Sequence, residues 1–403
     1  MAGRRAEHSL KDRSVNTTFF LGLVLSLALL PSNVVAATLL ILRAEWHASA
    51  FAIAWVFAAY QVGYLIAVLF LLPLTDRVPA GRVMAGCAVA SSTAFVLFPF
   101  LAHGVWSAAG LRLLAGLGLA GIYLPGVRVV AAATAPPRRG SAVGAYVSAF
   151  YLGTAASFWL SGALLPSLGW RGAALALGVV SAAALPLAIL ATRNTAPVSG
   201  TRAHLDLSVL RDGPVLRTIL AYTGHSWELY VSRGWLAAFV TSVLAARGLS
   251  PTAAASAGSQ WAALMAGLGT PGVWLGGWLS DSLGRSRAAL GIALASGFCS
   301  LWFGLLGTAP WALLVAAGCV YGVLVSADSA IYSTAVTELA PRDRIGSAQA
   351  VQAFLGFGAT AAAPLAAGWL IDLGVGWGGV FALAGVVGLG LALSLLPLAR
   401  RSK

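Results

Sequence analysis

Three ionisable side chains, His225, Glu228 and Arg233, stand inside one apolar run, AYTGHSWELYVSRGWLAAF from Ala221 to Phe239. With its flanks the run is long enough to cross a bilayer. At membrane depth each such group costs several kcal/mol unless it faces a polar cavity or a partner. The three types offer different chemistry. A carboxylate can load and release a proton there, an imidazole can relay one, and a guanidinium can hold an anion or compete with the proton for the carboxylate. On a helix, with Glu228 set at zero, Ser232 falls at about 40°, His225 at about 60°, Tyr222 at about 120° and Arg233 at about 140°. The spacing predicts one polar face lining a solute pathway, with Trp235 at its edge placed to stack on a ligand. A structural ion pair between Glu228 and Arg233 is the competing reading.

Other polar groups within apolar runs extend the candidate pathway. Asp328 has Tyr321 about 20° and Tyr332 about 40° away on the same helix. Gln61 lies beside Tyr60 and Tyr64, and Gln260, Gln349 and Gln352 add amides. Arg112 sits a few residues into its run. Arg128 is close enough to the end of the same run to snorkel to the surface. Trp106, Trp170, Trp311 and Trp377 are placed to anchor at the membrane interface.

The elements that must position these residues are membrane helices. Of 403 residues 59% are hydrophobic and 9% charged, and the mean hydropathy is +0.87. Long apolar runs recur from end to end, whereas a β-barrel would show short alternating strands. Twelve spans are expected, at 16–41, 50–72, 83–102, 107–133, 142–165, 171–191, 217–244, 252–279, 288–307, 311–337, 347–371 and 378–398. Residues 192–216 are polar, with Pro and Gly. They read as a linker between a six-helix half at 1–191 and another at 217–403.

The net charge of +13 comes from residues flanking spans, which argues against a nucleic-acid partner. Nineteen of the 25 lysines and arginines fall on one side of the predicted topology. That places both termini in the cytoplasm of a bacterial inner membrane. The basic start followed by an apolar stretch to Leu42 is too long for a signal peptide and fits a first span. Cys87, Cys299 and Cys319 lie in apolar runs without metal-ligand spacing.

The chain repeats itself. LTDRVPAGR around Asp76 and LSDSLGRSR around Asp281 are 205 positions apart, as are Ala135 and Ala340 at the start of two loops that share Gly-Ser-Ala. Trp170 and Trp377 follow at an offset of 207. At an offset of 205 Leu23 and Ala28 stand opposite Glu228 and Arg233, so the ionisable cluster is not shared by the two copies.

GGWLSDSLGRSR, Gly276 to Arg287, resembles the loop signature of the major facilitator superfamily, with matches at Gly277, Asp281, Gly284 and Arg285. The first copy keeps Asp76 and Arg77 but has Leu72, Pro79 and Ala80 where the family pattern has Gly, Gly and Arg. Arg82 is a candidate replacement for the lost basic residue. Arg112, Gly116 and Gly118 resemble the family's motif in the fourth helix. The resemblance implies an all-α fold of two six-helix bundles and secondary transport of a small organic solute by alternating access. It also implies a latch at Asp76, Arg77, Arg82, Asp281 and Arg285, made when the protein opens outward and broken when it opens inward.

Proton coupling is the expected mode, with Glu228 and Asp328 as the carboxylates; no cofactor or metal is expected. The expected partners are the solute and the lipid bilayer, with the chain a monomer. The three intramembrane arginines lean the solute towards an anion. A drug or metabolite efflux antiporter and an uncoupled or exchange-type organic-anion carrier are the alternatives. The Gly-Pro of drug antiporters is missing from the fifth span, and the sugar-porter signature is missing after the sixth. No HExxH or GxSxG points to an enzyme.

Overall fold

A computed structural model describes residues 2–74, 77–135, 138–193 and 206–401. Among them there is no strand. The first half runs as α1 (Ala2–Leu29), α2 (Val34–Ala37), α3 (Leu39–Glu45), α4 (Ala50–Leu74), α5 (Ala80–Leu101), α6 (Val105–Ala133), α7 (Arg139–Ser181) and α8 (Ala184–Thr192). The second runs as α9 (Gly213–Ala246), α10 (Pro251–Gly267), α11 (Gly269–Leu283), α12 (Arg285–Phe303), α13 (Trp311–Ala327), α14 (Ser329–Leu339), α15 (Ile345–Asp372), α16 (Gly376–Ala392) and α17 (Leu396–Arg401).

Nine helical stretches among the described residues are long and apolar enough to cross a membrane. One of these, Arg139–Thr192, is 54 residues long. It turns over at Gly169, whose φ of 64° suits a residue without a Cβ, and so supplies two passes. Two further passes are broken helices, α1 to α3 and α10 with α11. The total agrees with the twelve expected from sequence. Chain direction then puts both termini, the α6–α7 connection and the end of α14 on one face, here the terminus face. The other is the distal face.

The breaks have local causes. Pro31 lies between α1 and α2, where a ring in place of an N–H cannot continue the ladder. Pro125 and Pro364 stay inside α6 and α15 and interrupt neither helix. The tenth span is interrupted at Asp328, between α13 and α14. Part of the expected linker lies among the described residues. Leu207–Arg211 forms a 3-10 turn, Asp212 caps α9 by accepting from Val215 N at 3.2 Å, and Asp206 pairs with Arg344 at 3.2 Å.

Helices cross where side chains are missing. A Cβ on Gly116 of α6 would collide with the Tyr60 carbonyl of α4, and one on Gly276 of α11 with the Ala327 carbonyl of α13. The Gly116–Tyr60 crossing has its counterpart in the second half, where a Cβ on Gly322 of α13 would collide with the Met265 carbonyl of α10. Gly116→Val is expected to lower stability by about 1–3 kcal/mol, the usual cost of overpacking. Fluorescence-detected size exclusion after heating measures it, with unchanged melting as the contrary result.

Apolar packing divides with depth. One cluster, including Leu25, Met84 and Ile122, lies within the first half, and another, including Ile331 and Tyr332, within the second. A larger cluster joins both halves at the distal end, with Phe57 and Phe158 from the first and Trp235 and Phe239 from the second. Trp235 is fully buried and donates to the Pro364 carbonyl at 3.1 Å, so it is a packing residue and does not face a ligand. Trp106 is 74% exposed, as an interfacial anchor should be, but Trp170 is buried. Its indole donates to Glu45 at 2.6 Å, and Arg171 pairs with the same carboxylate at 2.7 Å. Burial pushes the Glu45 carboxyl up, but the Trp170 and Arg171 contacts outweigh it and hold it below the ordinary value.

Candidate functional site

A cavity of about 540 Å³ lies between the halves. Exposed Gly140 and Gly144 of α7 and Ala330 and Ser333 of α14 stand at its mouth, so it opens at the terminus face. The apolar cluster shared by both halves closes it distally. Two ties reinforce the closure. Asp372 at the end of α15 accepts from the backbone N–H groups of Ala50 and Phe51, at 2.7 and 2.8 Å, which start α4. Ser256 and Ser259 of α10 donate to the Gly162 and Phe158 carbonyls of α7 at 2.7 and 2.6 Å.

Seven of the residues singled out in the sequence line the cavity: Tyr60, Gln61, Tyr64, Arg112, Tyr222, His225 and Arg233. Their settings differ. Arg112 is buried and donates to the Ser32 carbonyl, in the break before α2, at 2.8 Å. Its guanidinium carbon stands 4.1 Å from the centre of the Tyr60 ring. Arg233 is half-buried among rings, 5.5 Å from Phe150, 5.3 Å from Tyr151 and 5.4 Å from Tyr230. No carboxylate pairs with it among the described residues. Gln61 accepts from Thr360 of α15 at 3.5 Å.

His225 connects the cavity to a layer behind it. Its Nδ1 is 2.8 Å from Asp328 Oδ1, although no donor is well aligned on that oxygen. The other carboxylate oxygen accepts from Tyr332 at 2.8 Å. His225 Nε2 meets Ser329 Oγ at 2.9 Å, and the Tyr151 hydroxyl of α7 donates to that same Oγ at 3.2 Å. A polar chain therefore runs from the first half into a buried imidazole–carboxylate pair of the second. The interruption of the tenth span at Asp328 places Asp328 and Ser329 side by side at the start of α14.

The remaining candidates lie elsewhere. Glu228 accepts from Ser296 of α12 at 2.7 Å and is packed against Gly388 of α16. It is buried within the second half, does not line the cavity and is not paired with Arg233. The angles explain this. Cavity-lining residues of α9 run from His225 at about 60° to Gly234 at about 240°, and Glu228 at zero lies outside that arc. The single polar face read from the sequence is two faces. Tyr321 is buried beside Ser300 and Phe303, Gln260 lies against Gly162, and Gln352 is buried away from the cavity. Tyr151, Ser329 and Tyr230 were not foreseen. Only Ser329, next to Asp328, carried any signal.

Of the expected latch, Asp281 bonds Arg285 at 2.5 Å, and Arg285 also reaches Glu338 at 3.2 Å. All three belong to the second half. Arg77 and Arg82 are exposed and have no ion-pair partner among the described residues, and Asp76 lies outside those residues. Arg285→Ala is expected to change the melting free energy by no more than about 1 kcal/mol, because exposed pairs are worth little. A larger loss in thermal unfolding would give this cluster a structural weight its exposure does not predict.

The sequence model of the Major Facilitator Superfamily matches residues 19–350. The chain belongs to this superfamily. Two solved structures share its fold. Both are of a bacterial homolog to the human lysosomal transporter Spinster, one inward-facing and unoccupied, the other inward-facing and occupied. Each is 16% identical, with TM-scores of 0.71 and 0.72. The match covers 96% of this chain in both cases, and 96% and 97% of those chains. No curated protein matches the chain. The superfamily makes the protein a multi-pass secondary transporter, a member of a transport family and not of an enzyme family.

Proposed function

We propose that the protein moves a small organic solute by alternating access, coupled to protons through His225 and Asp328. The observation that supports this most directly is the 2.8 Å contact between that imidazole and that buried carboxylate, with His225 on the cavity wall. Such a pair holds or gives up one proton as a unit. His225 can exchange it with water in the cavity while the terminus face is open. The Tyr151–Ser329 link crosses between the halves, so it must break or shift when they rock. Ser329 Oγ then loses its Tyr151 donor while it keeps His225, which ties the setting of the imidazole to conformation.

The charge asymmetry supports a cytoplasmic terminus face in a bacterial inner membrane, with the open cavity facing inward. Proteoliposomes loaded with a pH dye test the coupling. A transported solute should drive proton movement and show counterflow. Counterflow with no proton movement would leave an uncoupled carrier, and neither would leave a channel or a sensor.

A further inference from the structure

Two arginines and a histidine face the cavity, and no Asp or Glu lines it among the described residues. Asp328, one layer back, is paired with His225 and reaches neither arginine. Arg112 is committed to the fold, since the Ser32 carbonyl and the Tyr60 ring already hold its guanidinium. Arg233 has only ring faces around it. A guanidinium at membrane depth without an anion is costly, and low-dielectric walls concentrate its field in the cavity.

We infer that Arg233 is the anion-binding group and that the solute is an aromatic monocarboxylate. The assignment rests on the cavity being the transport site. The Arg112 guanidinium already has a carbonyl acceptor and that of Arg233 has only rings, so Arg233 is the cation left to take one carboxylate. The planar guanidinium suits a carboxylate, which it can hold through two parallel hydrogen bonds. The walls specify the rest of the molecule. Phe57, Tyr64, Tyr123, Phe150, Tyr230 and Phe357 present rings to the cavity, and its volume falls in the range of organic ligand sites. Arg233 sits where rings from α7 and from α9 converge. An acid bound there touches both halves at once, as a solute that triggers their rocking must.

The test is calorimetric titration of purified protein with four probes: 3-phenylpropionate, 3-phenylpropanamide, 3-phenylpropylamine and hexanoate. The carboxylate with the ring should bind tightest. The amide and the amine should each be weaker by on the order of tenfold or more, the value of a charge-assisted bond. Arg233→Gln should erase the preference for acid over amide, and Arg233→Lys should retain part of it, which separates lost charge from lost folding. Equal or tighter binding of the amine or amide, or no binding of any probe, overturns the anion site. Hexanoate binding as well as phenylpropionate overturns the aromatic specificity. Preference unchanged in Arg233→Gln but lost in Arg112→Gln moves the site to Arg112 and overturns the assignment. Phenylpropionate binding without proton movement refutes the coupling and leaves this site standing. Proton movement driven by other solutes, with no phenylpropionate binding, does the reverse.

Discussion

Asp328→Asn is expected to abolish proton-driven transport while leaving solute counterflow in place. Asparagine has almost the same shape and can still accept from the Tyr332 hydroxyl, which holds Asp328 at 2.8 Å. It cannot take up or release a proton. The rate driven by an imposed pH gradient should therefore fall on the order of 10²-fold, the scale of a lost acid–base group. Counterflow needs only solute binding and rocking, both of which the amide preserves. Glu228→Gln is the matched comparison. Glu228 touches Ser296 and Gly388 and does not line the cavity, so its amide should keep pH-driven transport. The opposite pattern, coupling lost in Glu228→Gln and kept in Asp328→Asn, would move the proton site to the second face of α9.

Asp372→Ala is expected to loosen the distal closure. This carboxylate belongs to the last turn of α15, yet it caps α4, a helix of the other half. Both oxygens are used, one on Ala50 N and one on Phe51 N, and Arg43 approaches within 3.9 Å. A carboxylate at a helix N-terminus meets unpaired N–H groups and the positive end of the helix dipole. Losing a cap of this kind costs about 0.5–2 kcal/mol. Here the contact joins the two halves at the closed distal face, so its loss should fall on the conformational balance. One or two kcal/mol changes a two-state ratio by roughly 5–30-fold towards the distally open form. Spin labels on Ala44→Cys and Val375→Cys, in a background without Cys87, Cys299 and Cys319, would report a longer-distance population in Asp372→Ala. An unchanged distance distribution would mean that apolar packing alone closes that face.

Class, number of spans and family are legible in the chain alone, as is the repeat that suggests two halves. Each of these is written in signals that survive without coordinates: runs of apolar residues as long as a bilayer is thick, charges outside them, and loops that recur at a fixed offset. The sequence also found the polar residues, because few side chains in such a chain are ionisable. Tertiary structure decided which of them share a cavity. In water, an apolar face marks the side of a helix that is buried. In a membrane, lipid and protein neighbours are equally apolar, so the pattern on α9 showed that Glu228, His225 and Arg233 are unusual but not which neighbour each one meets. Helix packing sent Glu228 towards α12 and α16, and turned His225 and Arg233 to the cavity. It joined Tyr151 to Ser329 across 178 positions, and Asp372 to Ala50 across 322. Contacts at such separations follow from how the helices assemble, and no local pattern of residues records them.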